Sequence, residues 1–509
     1  MDQRVGAKRR KRIVFSSGFV RAVLAGHSAL GLAFAALIYV VCLSGTLTVF
    51  LYEFQRWEQP DAPIVTAPPT PEVFNAAALA GYEQAIADKS AHDLFIVAPG
   101  TMTPRLIVSY HDHEANIEGH WIADAKGRLV ARQHAPWSEF LTHLHTNLHL
   151  PHTWGLFLVG LTGVALLSSL VSGLLAHPRI FKDAFALRWG GSKRLQEADL
   201  HNRLGVWGLP FHIAVSLTGA MLGLSTLIVG VLALAAYDGD SGKAFSVLLG
   251  PRATEEETPA PLPDLAAMIR HVRSTKPDAE VVTIIIQHAA KTGQIVNLGM
   301  RTPGHLALSN AYYFKGDGTP IGDGGLESGS FGQQVLGAIQ PLHFGWFGGL
   351  TVKILYGLLG LALTIVTHSG VTIWLARRRD KGRPAERWER IWAAVAWGQP
   401  LALAAAALIA LVAAEPFILP VYLVCTLAAI ALAVFMPSGD FTNRVLRFMS
   451  AALLFITVGV HGYMWGTRTI DMMAWGVSGA MLLAVLMLIV RRRSPAGTQN
   501  PDMAGQRQA

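Results

Sequence analysis

Cysteine is nearly absent from this chain: 2 among 509 residues, Cys42 and Cys425, both inside apolar runs. There is no C-x-x-C-H, which excludes covalent haem attachment, and four thiolates for an iron–sulfur cluster are lacking. Any metal or haem must be held mainly by histidine. Charge is scarce too, 15% of residues against 51% hydrophobic. In the first four apolar runs acidic residues are almost missing while histidines recur. That weakens a proton pathway, which more often mixes Asp or Glu with His. No G-x-G-x-x-G follows a strand pattern, and no flavin or nicotinamide domain is legible. Electrons for redox chemistry would come from quinol or a separate reductase. The first apolar run is too long for a cleavable signal, and no small-residue cleavage site follows it.

Long apolar runs are what the sequence does contain. Crossing a bilayer takes about 20 such residues, and eight runs qualify: 22–52, 153–176, 204–236, 344–376, 391–413, 417–436, 448–466 and 472–490. This is the pattern of a polytopic membrane protein. Basic residues cluster at Lys8–Arg12, at Arg179, Lys182, Arg188, Lys193 and Arg194, at Arg377–Arg379 and at Arg491–Arg493. With eight crossings all four segments share one side, and the positive-inside rule makes that side, with both termini, cytoplasmic. The net charge of +8 is then mostly membrane-surface charge, which argues against a nucleic-acid partner.

The expected layout follows. A basic cytoplasmic segment (1–20) leads into helix one (21–52), an extracytoplasmic segment (53–140), helix two (141–176) and a cytoplasmic loop (177–200). Helix three (201–236), a second extracytoplasmic segment (237–340), helix four (341–376) and a basic loop (377–390) come next. Four further helices (391–490) and a cytoplasmic tail (491–509) complete it. Both extracytoplasmic segments read as small α+β domains. The first shows a helix at 73–89 and strands at 93–97, 105–110, 119–123 and 128–133; the second a helix at 262–274 and strands at 280–287, 294–300 and 311–314.

The two blocks are one unit used twice. His27, Gly31 and Gly45 are spaced 4 and 14, and so are His201, Gly205 and Gly219. Each closing run starts Leu-His (His145, His343) and ends Ser-Gly (Gly173, Gly370). Both units enter in the same direction, so they are parallel repeats about an axis normal to the membrane.

The densest signal is His143-Leu-His-Thr-Asn-Leu-His-Leu-Pro-His152, with His145 and His149 four apart and on one face if helical. Zinc is one reading of this cluster. Axial ligation of b-type haem needs only one histidine from each of two facing helices, with small residues beside the ring. The repeat supplies that twice. His27 pairs with His201 near the cytoplasmic end, and His145 or His149 pairs with His343 near the outer end. Gly31, Gly205, Gly155, Gly348 and Gly349 would clear space for two haems. His461, in the last four runs, reads as a satisfied polar residue. His92, His111, His113 and His120 read as surface histidines.

Four stretches carry a family resemblance: H-x-x-L-G…S-G in run one, L-H-x-x-L in run two, D-L-H-N-R-L-G-V-W-G-L-P-F from Asp199, and L-H-F-G-W-F-G-G…S-G-V-T-I-W from Leu342. Over about residues 20–380 the chain resembles the PepSY-associated transmembrane family, and its two α+β segments resemble PepSY domains. The resemblance implies a duplicated helix–PepSY–helix fold with a four-helix haem-binding core in a bacterial inner membrane. It implies two haems b with His27, His145, His201 and His343 at the ligand positions; His149, His212 and His368 are additional candidates. The leading expectation is a reductase that passes electrons from quinol or a cytoplasmic reductase to a ferric siderophore or other chelate at the periplasmic face. The alternatives are a non-enzymatic protein whose PepSY domains bind or regulate a partner, and an iron-chelate transporter.

Overall fold

The computed structural model describes residues 16–90, 92–100, 103–112, 117–176, 184–185, 193–254, 256, 258–466 and 471–490. The basic residues expected at Lys8–Arg12, Arg179, Lys182, Arg188 and Arg491–Arg493 lie outside the described residues, as does His113.

The first apolar run is not one helix. It breaks into α1 (Ser17–Ala33), α2 (Ala35–Thr48) and α3 (Leu51–Glu58), and α1 and α2 bend by 67° at their junction. Helix α4 (Pro71–Ala87) and strands β1 (Asp93–Val97), β2 (Leu106–Asp112), β3 (Ile117–Ala123) and β4 (Leu129–Arg132) follow. Then come α5 (Pro136–Thr146) and α6 (His152–Ala176). The third run repeats the break, as α7 (Lys193–Trp207), α8 (Leu209–Gly223) and α9 (Ser225–Ala236), with a bend of 70° between α7 and α8. Helices α10 (Ser241–Leu249) and α11 (Leu265–Thr275) precede β5 (Glu280–Gln287), β6 (Ile295–Arg301), β7 (Asn310–Lys315) and β8 (Pro320–Asp323). The chain ends in α12 (Phe331–Phe344), α13 (Gly349–Asp380), α14 (Glu386–Val412), α15 (Ile418–Phe435), α16 (Gly439–Trp465) and α17 (Met472–Ile489).

Six of the described helical stretches are long and apolar enough to cross a membrane, and the two bent pairs bring the number to eight. The chain is a multi-pass helical membrane protein. The expected continuous spans 22–52 and 204–236 are corrected to broken ones. Phe34 and Gly208, the two break residues, each lie seven positions after a repeat histidine, His27 and His201, so the bend belongs to the duplicated unit. Both residues have ψ near 0 (3° and 2°), in the sparsely allowed bridge region. In the second copy Pro210 reinforces the break, since its ring crowds the carbonyl four residues back.

The chain packs as two compact units: residues 1–180, 204–368 and 465–477 in the first, and 181–203, 369–464 and 478–509 in the second. In the first unit the two α+β segments are not separate. They share one antiparallel eight-stranded sheet of order β4-β3-β2-β1-β5-β6-β7-β8. The seam is the β1–β5 pair, with Leu94 opposite Ile286 and Val97 opposite Thr283. Helix α11 buries Leu265, Met268, Ile269 and Val272, the i, i+3, i+4, i+7 stripe of a core-facing helix. Asp264 accepts from the Ala267 amide and so caps it. Phe74 of α4, Leu94, Ile269, Ile284 and Phe314 belong to a single core drawn from both segments. Burying each such side chain stabilises by about 1.5–3 kcal/mol.

Elsewhere in this unit α6 packs closely on α8. A Cβ at Gly160 would come 2.8 Å from the Gly223 carbonyl carbon, and one at Gly163 would come 3.0 Å from the Ala220 nitrogen. Small residues let these backbones meet, the usual means of packing helices in lipid. In the second unit, Ala-rich α14 packs on α15 through Ala394, Leu401, Ala429 and Ala433. The buried Gln399 amide is satisfied by Tyr422, whose hydroxyl donates to it at 2.5 Å. His461 is buried on α16, 1% exposed.

A common core makes the two α+β halves cooperative. Ile284→Ala, at a fully buried seam position, should cost roughly 2–5 kcal/mol. Hydrogen exchange should then rise together in α4 and β6. Loosening confined to β5–β8 would show that the halves fold apart.

Candidate functional site

The four repeat histidines stand in one recurring setting: a ring laid against a Ser/Thr–Gly pair of a neighbouring helix. His145 Nδ1 lies 3.1 Å from the Val41 carbonyl and 3.4 Å from Ser44 Oγ. His343 Nδ1 lies 3.1 Å from Thr218 Oγ1 and also meets the Val215 main chain. His27 Nδ1 lies 2.9 Å from the Ser169 carbonyl and 3.2 Å from Ser172 Oγ. Within the second unit, His201 Nδ1 lies 3.1 Å from Ser369 Oγ. The following glycine makes room for the rings of His145 and His343, and lies at ordinary contact distance from those of His27 and His201. A Cβ at Gly45 or Gly219 would come 2.6 or 2.8 Å from the Cε1 of His145 or His343, and one at Gly173 or Gly370 would come 3.4 Å from that of His27 or His201.

This contact decides the tautomer. A carbonyl only accepts, so Nδ1 of His27 and His145 carries the proton. The Thr218 hydroxyl donates to the Ala214 carbonyl at 2.6 Å, so its oxygen is left to accept from His343. With Nδ1 as donor, Nε2 of the neutral ring keeps its lone pair. That is the orientation of a metal-ligating histidine whose other nitrogen is anchored.

In the first unit His145 and His343 face each other with ring centroids 6.1 Å apart and planes 18° from parallel. Both line a cavity of about 230 Å³ whose walls are apolar, among them Ile38, Leu156, Leu166, Phe211 and Leu363. A metal–imidazole bond is about 2 Å, so two rings at this separation could hold one haem iron between them. The spacing, the anchored Nδ1 atoms and the apolar walls fit a bis-histidine haem.

The other expected residues are placed as follows. His149 does not share a face with His145: α5 stops at Thr146, and Leu148 and His149 both take positive φ, 55° and 53°. His149 instead stacks on Phe140, with Nε2 3.0 Å from the Phe140 carbonyl. His212 is fully buried on α8, close against Gly208, which a Cβ would bring to 2.5 Å from its ring. His368 precedes Ser369 on α13. Around Gly31, Gly205 and Gly349 a Cβ would meet nothing within 4 Å, while Gly155 packs on Asn147 and Gly348 on Val352.

Some residues that position the site were not foreseen. Ala135, the N-cap of α5, offers no side-chain cap. Glu58 of α3 replaces it, accepting from the Trp137 amide (2.5 Å), the Ser138 amide (3.0 Å) and the Ser138 hydroxyl (2.5 Å). It thereby ties the helix that carries His145 to the end of the first bent span. Burial pushes the Glu58 carboxyl up to about 8, against the pull of those three donors. Lys353 and Glu53 form a buried ion pair at 2.6 Å. Arg56 makes a bidentate bond to Asp471. Against the burial that would raise it, this bond holds the Asp471 carboxyl below its usual value. A lone lysine at the head of an apolar run was the available signal for the Lys353 pair; nothing local marks Glu58 as a cap.

Comparison with known proteins places these residues in context. A family model described as the PepSY-associated TM region matches residues 24–377. An uncharacterized protein of Pseudomonas aeruginosa, PA4219, is 32% identical over 254 residues, which is 48% of this chain and 64% of that protein. The match thus spans less than two thirds of the relative's length.

A raised Glu58 pKa has a definite sign. The folded state holds the proton more tightly than the unfolded chain, whose carboxyl titrates near 4.5. The contribution is complete below that value and is lost as pH rises through about 8. Thermal midpoints of the detergent-solubilised protein should fall over this window, and Glu58→Gln should flatten the fall. Parallel curves for the two proteins would show that Glu58 is ionised throughout.

Proposed function

The chain belongs to the PepSY-associated TM family, and from that premise we propose that it is a haem-dependent reductase of the bacterial inner membrane, delivering electrons to a ferric siderophore or similar ferric chelate at the periplasmic face and releasing Fe(II) for uptake. The observation that carries the reading is the His145–His343 pair, two imidazoles at ligating separation in an apolar cavity. Haem b, when bound, supplies one-electron transfer.

The chain's own residues do the rest. Val41, Val215 and Thr218 hold the Nδ1 protons, which leaves the lone pair on Nε2 of both cavity-lining rings. Gly45 and Gly219 let the rings seat against their helices. Apolar walls keep water from the pair. From the sequence repeat alone, a second haem b is assigned to His27 and His201, the remaining repeat histidines. The eight-stranded sheet is the proposed periplasmic docking surface for the chelate, and the termini lie in the cytoplasm by the Lys/Arg asymmetry. The electron donor is quinol or a cytoplasmic reductase. Reduction loosens the chelate because hard oxygen donors prefer Fe(III) to Fe(II).

Haem content by pyridine haemochrome and ferric-chelate reduction test this reading. The wild type should carry two extractable haems. His343→Ala should lose one and stop chelate reduction. Gly219→Leu, which drives a side chain into the His343 ring, should do the same with His343 intact. His149→Ala should keep both haems. A protein without haem after expression with ample haem, or His343→Ala with both haems and full reduction, would overturn the reading.

A further inference from the structure

The sheet seam brings together three groups that the membrane site does not use. Strand β1 begins at Asp93 and β5 ends at Gln287. The antiparallel register that sets Leu94 opposite Ile286 continues two positions outward. It places His92, just before β1, beside His288, just after β5. Their ring centroids are 4.2 Å apart at 61°. Asp93 lies between them: its Oδ1 accepts from His92 Nδ1 at 2.9 Å and from the His288 amide at 3.0 Å.

From this geometry we propose that His92, Asp93 and His288 form a binding site for a divalent transition-metal ion of borderline softness, Fe(II) or Zn(II), at the junction of the two α+β halves. Two imidazoles and one carboxylate are the donor set such ions take, with further positions left to water or substrate. Ligand atoms on one ion at bonds of about 2.1 Å lie about 3.0–3.4 Å apart. The observed donor atoms all fall within 4.8 Å of one another, so a turn of the imidazoles closes the set without moving the strands. The ion takes the place of the His92 Nδ1 proton, which moves to Nε2 by exchange with solvent, so that the ring binds as a neutral imidazole. The Asp93 side chain is partly shielded, 13% exposed against 32% for His92. An ion can therefore enter from solvent and still exchange water for protein donors.

The backbone supports the same assignment. His288 has φ +51°, a left-handed conformation that residues with a Cβ rarely adopt. The Ala289 amide bonds the His92 carbonyl at 2.8 Å, and together with the Asp93 bond it locks the loop in that shape. Strain held in this way gathers at ligand clamps. Among the described residues, no other group of three or more His, Cys, Asp or Glu side chains brings its donor atoms this close.

The test uses the full-length protein with its membrane cofactors in place, stripped of loose metal and titrated with Zn(II), with Fe(II) under anaerobic conditions, and with Co(II) as a spectroscopic probe. One equivalent should bind each ion, with a Co(II) visible band that reports nitrogen ligation. His92→Ala and His288→Asn should each weaken binding at least tenfold. Asparagine tolerates left-handed φ, so the second variant keeps the loop shape, and unchanged haem spectra and metal-free melting confirm folding. No stoichiometric binding in the wild type, or equal binding in both variants, would overturn the proposal.

Discussion

An imidazole inside an apolar helix bundle must place its one proton. Here the recurring solution is a main-chain carbonyl or hydroxyl at a Ser/Thr–Gly pair, and much of the membrane architecture serves it. The hydroxyl returns its own proton to its helix, as Thr218 does to Ala214 and Ser44 to Val40, which leaves its oxygen ready to accept. Glycine next to it removes the Cβ that would hold the ring off. Nδ1 is thereby spent and Nε2 becomes the reactive nitrogen. One contact thus sets tautomer, position and direction together.

Delivering the rings to those pairs shapes the helices. His145 and His343 ride on α5 and α12, short helices that end one residue later, at Thr146 and Phe344. Gly345, at φ +75°, caps α12 in the left-handed conformation, and Leu148 and His149 do the corresponding work after α5 at greater steric cost. A continuous helix through the α5 junction would carry His149 onto the face of His145, where it would compete for the cavity. Glu58 then matters out of proportion to its position, because it holds the N-terminus of the helix that carries His145.

Outside the helices, duplication has a different consequence. Two α+β segments that could each have formed a four-stranded sheet pair along β1 and β5 and bury one core between them. The pairing removes two exposed edges, which are otherwise templates for aggregation. It also places opposite each other residues that neither copy holds together alone, and the His92–Asp93–His288 cluster arises at that seam.

Read alone, the chain determined those features whose cause lies within a few residues. Apolar length marks the spans, alternation marks the strands from β1 to β7, and the spacing from His27 to Gly45 and from His201 to Gly219 reveals the duplicated unit. Four histidines repeat with Ser/Thr–Gly pairs, and that much of the site was visible. The choice between His145 and His149 was not, because it turns on where α5 stops, and nothing in a histidine-rich run states that two of its residues will adopt positive φ. The bends at Phe34 and Gly208 were hidden for a similar reason: hydropathy is blind to ψ. Glu58 as a cap and the bond from Asp93 to the His288 amide, 195 positions apart, depend on chain segments meeting in space. Only the tertiary structure decides such contacts, since the free energy that forms them comes from burying surface shared by distant residues rather than from any local preference.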